Sequence, residues 1–113
     1  MAEKITREEL RGLVEAGDVT LVHALPEQSF RKEHIPGALQ LDHERVAEQA
    51  PERLPDKSAP IVTYCASRSC QNSEVAANRL LALGYTNVRE YAEGIADWID
   101  AGLPVEGEVG AKV

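Results

Sequence analysis

Positive charge is scarce in this chain. Twelve Lys and Arg stand against nineteen Asp and Glu, a formal net charge of -7. That balance argues against nucleic acid or an anionic membrane as a partner, because both are recognised through clustered cations. An anionic substrate has to be held locally. Long apolar runs are also missing: none approaches the roughly 18 residues of a spanning helix. The N-terminal Met1-Ala2-Glu3-Lys4 lacks the charged-then-apolar order of a signal peptide, so a cytoplasmic location is expected. Histidines number three, without carboxylate-rich spacing and without a Cys-x-x-Cys pair. This argues against a metal site, and no metal or other cofactor is expected. Cysteine is rarer still. The two present, Cys65 and Cys70, lie five apart, so a bridge between them closes only a tiny ring and adds little stability. Such a bridge reads as redox chemistry rather than as a structural staple.

What is present suits one domain with one core: 113 residues, 43% of them hydrophobic. Thr6 with Glu9 forms a capping box, Leu10, Leu13 and Val14 give an apolar face, and Gly17 stops the helix, which spans about 7–16. Val19 to Ala24 is a short β-branched strand. Pro26 to Glu33 suits a short helix with Pro in its first turn and Phe30 inward. His34-Ile35-Pro36-Gly37-Ala38 is a turn, and Ala38 to Leu41 a short strand. Residues 43–50 suit a helix that Pro51 ends, and Glu52 to Pro60 a polar surface connection. After a strand at Ile61 to Tyr64, Ala76, Ala77, Leu80, Leu81 and Leu83 recur at helical spacing in a helix over 73–83, capped by Gly84. A strand over 87–91 and a helix opening at Gly94 and ended by Gly102 complete the domain at about residue 105, before a frayed polar tail over 106–113. The alternation predicts an α/β fold with a parallel sheet covered on both faces. No internal repeat or low-complexity segment interrupts it.

In such sheets ligands bind at the carboxyl ends of strands, which is where Cys65 lies. It sits between a buried strand and a helix start, where unpaired N–H groups and the helix dipole favour a thiolate, and thiolate is the nucleophilic form. The competing reading is a packing cysteine, since cysteine is among the most buried residue types. Arg68, the one formal positive charge in the loop, either pairs with an incoming anion or is solvated at the tip. Cys70 either faces Cys65 and resolves a persulfide or sulfenate as a disulfide, or only lines the loop. Asn72 or Ser73 reads as the helix N-cap, with Glu74 in the first turn mildly opposing a nearby anion. His34 and His43 invite metal or general-base readings, although His34 more simply fixes the turn. His23 reads as a hydrogen-bonded structural histidine, and Tyr91 and Trp98 as core and cleft wall.

Four features of the chain together resemble a single-domain rhodanese, of the sulfurtransferase family. They are His34-Ile35-Pro36-Gly37-Ala38; Tyr64-Cys65, a loop, then Ser73-x-x-Ala76-Ala77; Leu83-Gly84-Tyr85-x-Asn87-Val88; and Gly94-Ile95-x-x-Trp98 followed by Gly102-Leu103-Pro104. The resemblance implies a rhodanese-like fold of about five parallel strands. It also implies a persulfide mechanism: Cys65 takes sulfane sulfur from a small donor, thiosulfate or a persulfide, and passes it to a thiol or protein acceptor. On that reading the N–H groups of Ala66, Ser67, Arg68, Ser69, Cys70, Gln71 and Asn72 bind the terminal sulfur anion much as a phosphate loop binds phosphate. The chain departs from the family pattern in having seven residues between Cys65 and Ser73, Asn72 where an arginine closes the loop, and a second cysteine. His23 and Leu25 also replace the Asp and Arg that usually end the second strand. Two further readings stay open: a thiol oxidoreductase or redox sensor using Cys65 and Cys70, and a catalytically weak interaction module on the same fold.

Overall fold

Ten elements alternate along the chain in the computed structural model, which describes residues 2–108. They are β1 (Glu3–Lys4), α1 (Arg7–Ala16), β2 (Thr20–His23), α2 (Glu27–Lys32), β3 (Leu39–Gln40), α3 (Val46–Arg53), β4 (Ile61–Tyr64), α4 (Asn72–Ala82), β5 (Val88–Tyr91) and α5 (Gly94–Asp100). The strands form one sheet in the order β1-β5-β4-β2-β3, and every pairing is parallel. Strand β4 therefore lies in the middle, with Tyr64 level with His23 on one side and Tyr91 on the other.

The two-residue period of the strands sorts their side chains into two cores. Val22, Ile61 and Val88 pack on one face against Val46 and Ala50 of α3 and Ala76, Ala77 and Leu80 of α4. Leu21, Val62, Tyr64 and Tyr91 pack on the other against Leu10 of α1 and Ile95 and Trp98 of α5. Each large side chain buried in this way contributes roughly 1.5–3 kcal/mol. Among the described residues, no helix is long and apolar enough to cross a membrane.

Helix α1 matches its predicted limits. Thr6 Oγ1 accepts from Glu9 N–H at 3.2 Å, and Gly17, at φ 72°, closes the last turn onto Leu13 and Val14. Three expectations need correction. The helix expected over 43–50 begins at Val46 and runs through Pro51. Asp42 first folds the chain into a local turn, its carboxylate accepting from Glu44 N–H at 2.9 Å. Beyond Pro51 the ladder resumes, with Leu54 N–H donating to Ala50 O at 2.7 Å. The sequence reading overlooks β1, whose Lys4 lies opposite Glu90 of β5. Finally, the start of the tail is not frayed: Glu106 exchanges backbone hydrogen bonds with His34 at 2.8 and 2.9 Å, and Glu108 N–H donates to Arg31 O at 2.9 Å. The rest of that tail, residues 109–113, lies outside the described residues.

Candidate active site

Cys65 is the first residue beyond the central strand and is 1% exposed. The base of its loop is gripped by the start of α5, where Ile95 N–H donates to Cys65 O at 2.9 Å and Ala96 N–H to Ala66 O at 3.0 Å. Gly94 makes this approach possible. It has φ +75°, and a Cβ built there would lie 2.6 Å from Ser67 N and 2.8 Å from Cys65 O. Cys70 returns to Cys65 through a turn in which its N–H donates to Ser67 O at 3.0 Å. The two sulfurs are joined in a disulfide, with the Cα atoms 6.3 Å apart.

Behind Cys65 lies a buried polar chain. Its Sγ is 3.4 Å from Ser73 Oγ, and the Ser73 hydroxyl donates to Glu90 Oε2 at 2.7 Å. Lys4 Nζ sits 3.3 Å from the other oxygen of Glu90. Ser73 and Glu90 are both buried, and the Ser73 carbonyl accepts from Thr63 Oγ1 at 2.8 Å. The expected capping role of Asn72 or Ser73 is therefore wrong. Helix α4 starts at Asn72 behind Gln71 without a side-chain cap, which places Ser73 inside the first turn, where its hydroxyl is taken by Glu90.

Arg68 points away from the loop interior. Its guanidinium pairs with Glu93 while the side chain stays 79% exposed. Ser67 and Ser69 share a hydroxyl contact of 3.1 Å at the same exposed tip. Beside the tip is a cleft of about 450 Å³ lined by Lys4, Arg68, Cys70, Gln71, Glu74, Glu90, Ala92 and Glu93. The structure brings Cys65, Cys70 and the surrounding loop together. It adds Lys4, Glu90 and Glu93, which the sequence reading did not single out. A charged residue at the core-facing position of β5 was the available signal for Glu90.

The base of the loop rests on aromatic packing. Tyr64, just before Cys65, accepts from Ile35 N–H at 2.9 Å, and burial pushes its phenol well above the ordinary range. His23 is wedged edge-on between Tyr64 and Phe30, with ring centroids at 5.2 and 5.4 Å. Its Nδ1 has no hydrogen-bond partner among the described residues, so at that nitrogen the expected hydrogen bonding is missing. Burial, and then the nearby charge of His34, lower its pKa to about 4. His34 is tied back to α2 rather than across its own turn: its Nδ1 lies 2.8 Å from Phe30 O and its ring stacks on Phe30. Tyr91 and Trp98 are buried core residues. Asp42, His43 and Glu44 offer one ligand atom each within 4.8 Å, a grouping the sequence reading passed over. The Asp42 carboxylate there already accepts from Glu44 N–H.

The family model for the rhodanese-like domain matches residues 6–101, which include every element from α1 to α5 and the whole loop. The chain belongs to the rhodanese-like domain family. Over 104 residues it is 35% identical to the HTH-type transcriptional regulator Rv0324 of Mycobacterium tuberculosis, covering 92% of this chain and 45% of that protein. The BH2092 protein of Bacillus halodurans superposes with a TM-score of 0.88 at 27% identity, over 99% of this chain and 82% of that one. Thiosulfate sulfurtransferase of Pseudomonas aeruginosa superposes with a TM-score of 0.82 at 26% identity, over 93% of this chain and 20% of that one. The rhodanese-like fold expected from the four motifs is the fold found, and it supports the sulfurtransferase family in general terms.

Proposed function

We propose that this rhodanese-like domain is a sulfurtransferase or persulfide carrier that moves sulfane sulfur through Cys65. One observation carries the reading: Cys65 stands at the carboxyl end of the central strand, under a short loop that leads into α4. The N–H groups of Ala66, Ser67, Arg68 and Ser69 have no acceptor among the described residues, which suits a cradle for a sulfur anion. In the charging step the Cys65 thiolate attacks the outer sulfur of a persulfide donor. A Cys65 S–S bond forms, the donor's S–S bond breaks, and the donor leaves as a thiolate. Discharge is the reverse, with an acceptor thiolate attacking the outer sulfur. Charging requires the Cys65–Cys70 bridge to be open, because Cys70 Sγ otherwise occupies the bonding position on Cys65.

Intact mass after incubation of the reduced protein with thiosulfate and with low-molecular-weight persulfides tests this reading. The expected result is a gain of one sulfur that Cys65→Ser abolishes. No gain with any donor refutes it. The bridge itself favours a second reading, a thiol oxidoreductase that cycles between the Cys65–Cys70 disulfide and the dithiol. It requires a reversible loss of two hydrogens under mild oxidant, and persistence of that loss in Cys70→Ser rules it out.

A further inference from the structure

We propose that the oxidised loop is opened at Cys70, by a thiol that enters from the cleft beside Arg68, Glu74, Glu90 and Glu93 and carries no net negative charge. The inference rests on the reading that Cys65 and Cys70 interconvert between bridge and dithiol.

The two bridged sulfurs face different surroundings. Cys65 is 1% exposed, with the Ile95 amide of α5 on its carbonyl and Ser73 behind its sulfur. Cys70 is only half-buried and lines the cleft. In thiol–disulfide exchange the outcome depends on which sulfur an attacking thiolate can reach, and the other sulfur leaves. Of the two cysteines only Cys70 lines the cleft, so attack from there makes Cys65 the leaving group.

The cleft also selects by charge. Its two cations are each engaged by its own carboxylates, Lys4 by Glu90 and Arg68 by Glu93. Glu74 has no partner among the described residues. Carboxylates therefore outnumber cations on the cleft wall, and an incoming anion meets no unengaged positive group there. A neutral or cationic thiol meets no such penalty.

The reaction balances as an ordinary exchange. The incoming thiol loses its proton to water and its sulfur bonds to Cys70 Sγ. The bond between Cys70 and Cys65 breaks, Cys65 leaves with the electron pair, and it takes a proton from water. A second thiol attacks the first thiol's sulfur in the mixed disulfide and releases Cys70. Two external thiols are oxidised to their disulfide, and the protein disulfide is reduced to two thiols.

The full chain, oxidised and verified by intact mass as lacking two hydrogens, is reduced with three thiols on one two-carbon frame: cysteamine, 2-mercaptoethanol and 2-mercaptoethanesulfonate. Rates are expressed per thiolate and divided by the same thiol's rate on bis(2-hydroxyethyl) disulfide. At low ionic strength the expected order is cation, neutral, anion, about threefold per unit charge, with the spread collapsing in 1 M salt. Glu74→Gln narrows it. For the point of attack, a brief reaction is quenched in acid and blocked with N-ethylmaleimide. Tryptic cleavage after Arg68 then puts the two cysteines on separate peptides, with the adduct expected on Cys70 and the maleimide on Cys65. An adduct on Cys65, or a flat or inverted charge series at low salt, overturns this proposal and leaves the bridge reading intact. Absence of the two-hydrogen loss overturns both, while the sulfur-transfer reading still stands or falls on the donor experiment.

Discussion

The base of the active-site loop and its tip are a few residues apart and are held by different forces. At the base, Cys65 and Ala66 are fixed through their carbonyls by α5, over a glycine that leaves no room for a side chain, and Tyr64 and His23 fill the space beneath. At the tip, Arg68 is tied by one exposed ion pair and Ser67 and Ser69 by one hydroxyl contact. Backbone bonds to α5 and burial hold the first cysteine of the pair, while the second is held by a local turn onto Ser67 and by the disulfide itself. The difference teaches that Cys65 is held by its own backbone bonds and burial, whereas Cys70 is held chiefly through Cys65.

Four measurements sharpen or break that comparison. The largest effect belongs to the base. Gly94→Ala puts a methyl group against the loop backbone at a positive φ, and a loss of about 3 kcal/mol or more is expected in denaturant unfolding. Acid acts on the same region. Because the His23 pKa is lowered in the fold, the unfolded chain takes up a proton that the native state refuses. Stability is whole above pH 6.5 and falls as pH drops toward about 4. That loss amounts to about 3 kcal/mol by conversion of the shift, and urea titrations of His23→Phe should lack most of it. Tyr64→Phe leaves the buried Ile35 N–H without its acceptor, at a cost of about 1–3 kcal/mol in the same assay. The smallest effect belongs to the tip: Glu93→Gln frees Arg68 and should change stability by no more than about 0.5 kcal/mol. A change as large as that of Tyr64→Phe would mean that the tip is anchored as firmly as the base.

Local pattern carried most of the fold into view. The β-branched run of β4, the capping box of α1 and the turn at His34 to Ala38 each declare themselves within a few residues. What stayed hidden depends on partners distant in sequence. Strand β1 is two exposed, charged residues whose claim to be a strand is the match of Glu3 with Arg89 and of Lys4 with Glu90, far along the chain. Ser73 looked like a cap because nothing nearby shows that Glu90 will take its hydroxyl. Arg68 looked free for the same reason, Glu93 being 25 residues away. The start of α3 was obscured differently, by an aspartate that folds a turn where the apolar spacing alone implied a helix.

The bond from Ser73 to Glu90 bears on which chemical form of Cys65 the pocket accommodates. A serine hydroxyl has one hydrogen, and here it is spent on the carboxylate. Toward Cys65 the serine can therefore only accept, and only a sulfur that still carries a proton has anything to give it. A discharged, protonated Cys65 satisfies that lone pair. An inner sulfur bonded to a second sulfur, in a persulfide or in the bridge, does not. The pocket behind Cys65 thus completes its hydrogen bonding only when that cysteine is a protonated thiol, so on the proposed transfer reading it favours the uncharged resting form over the persulfide.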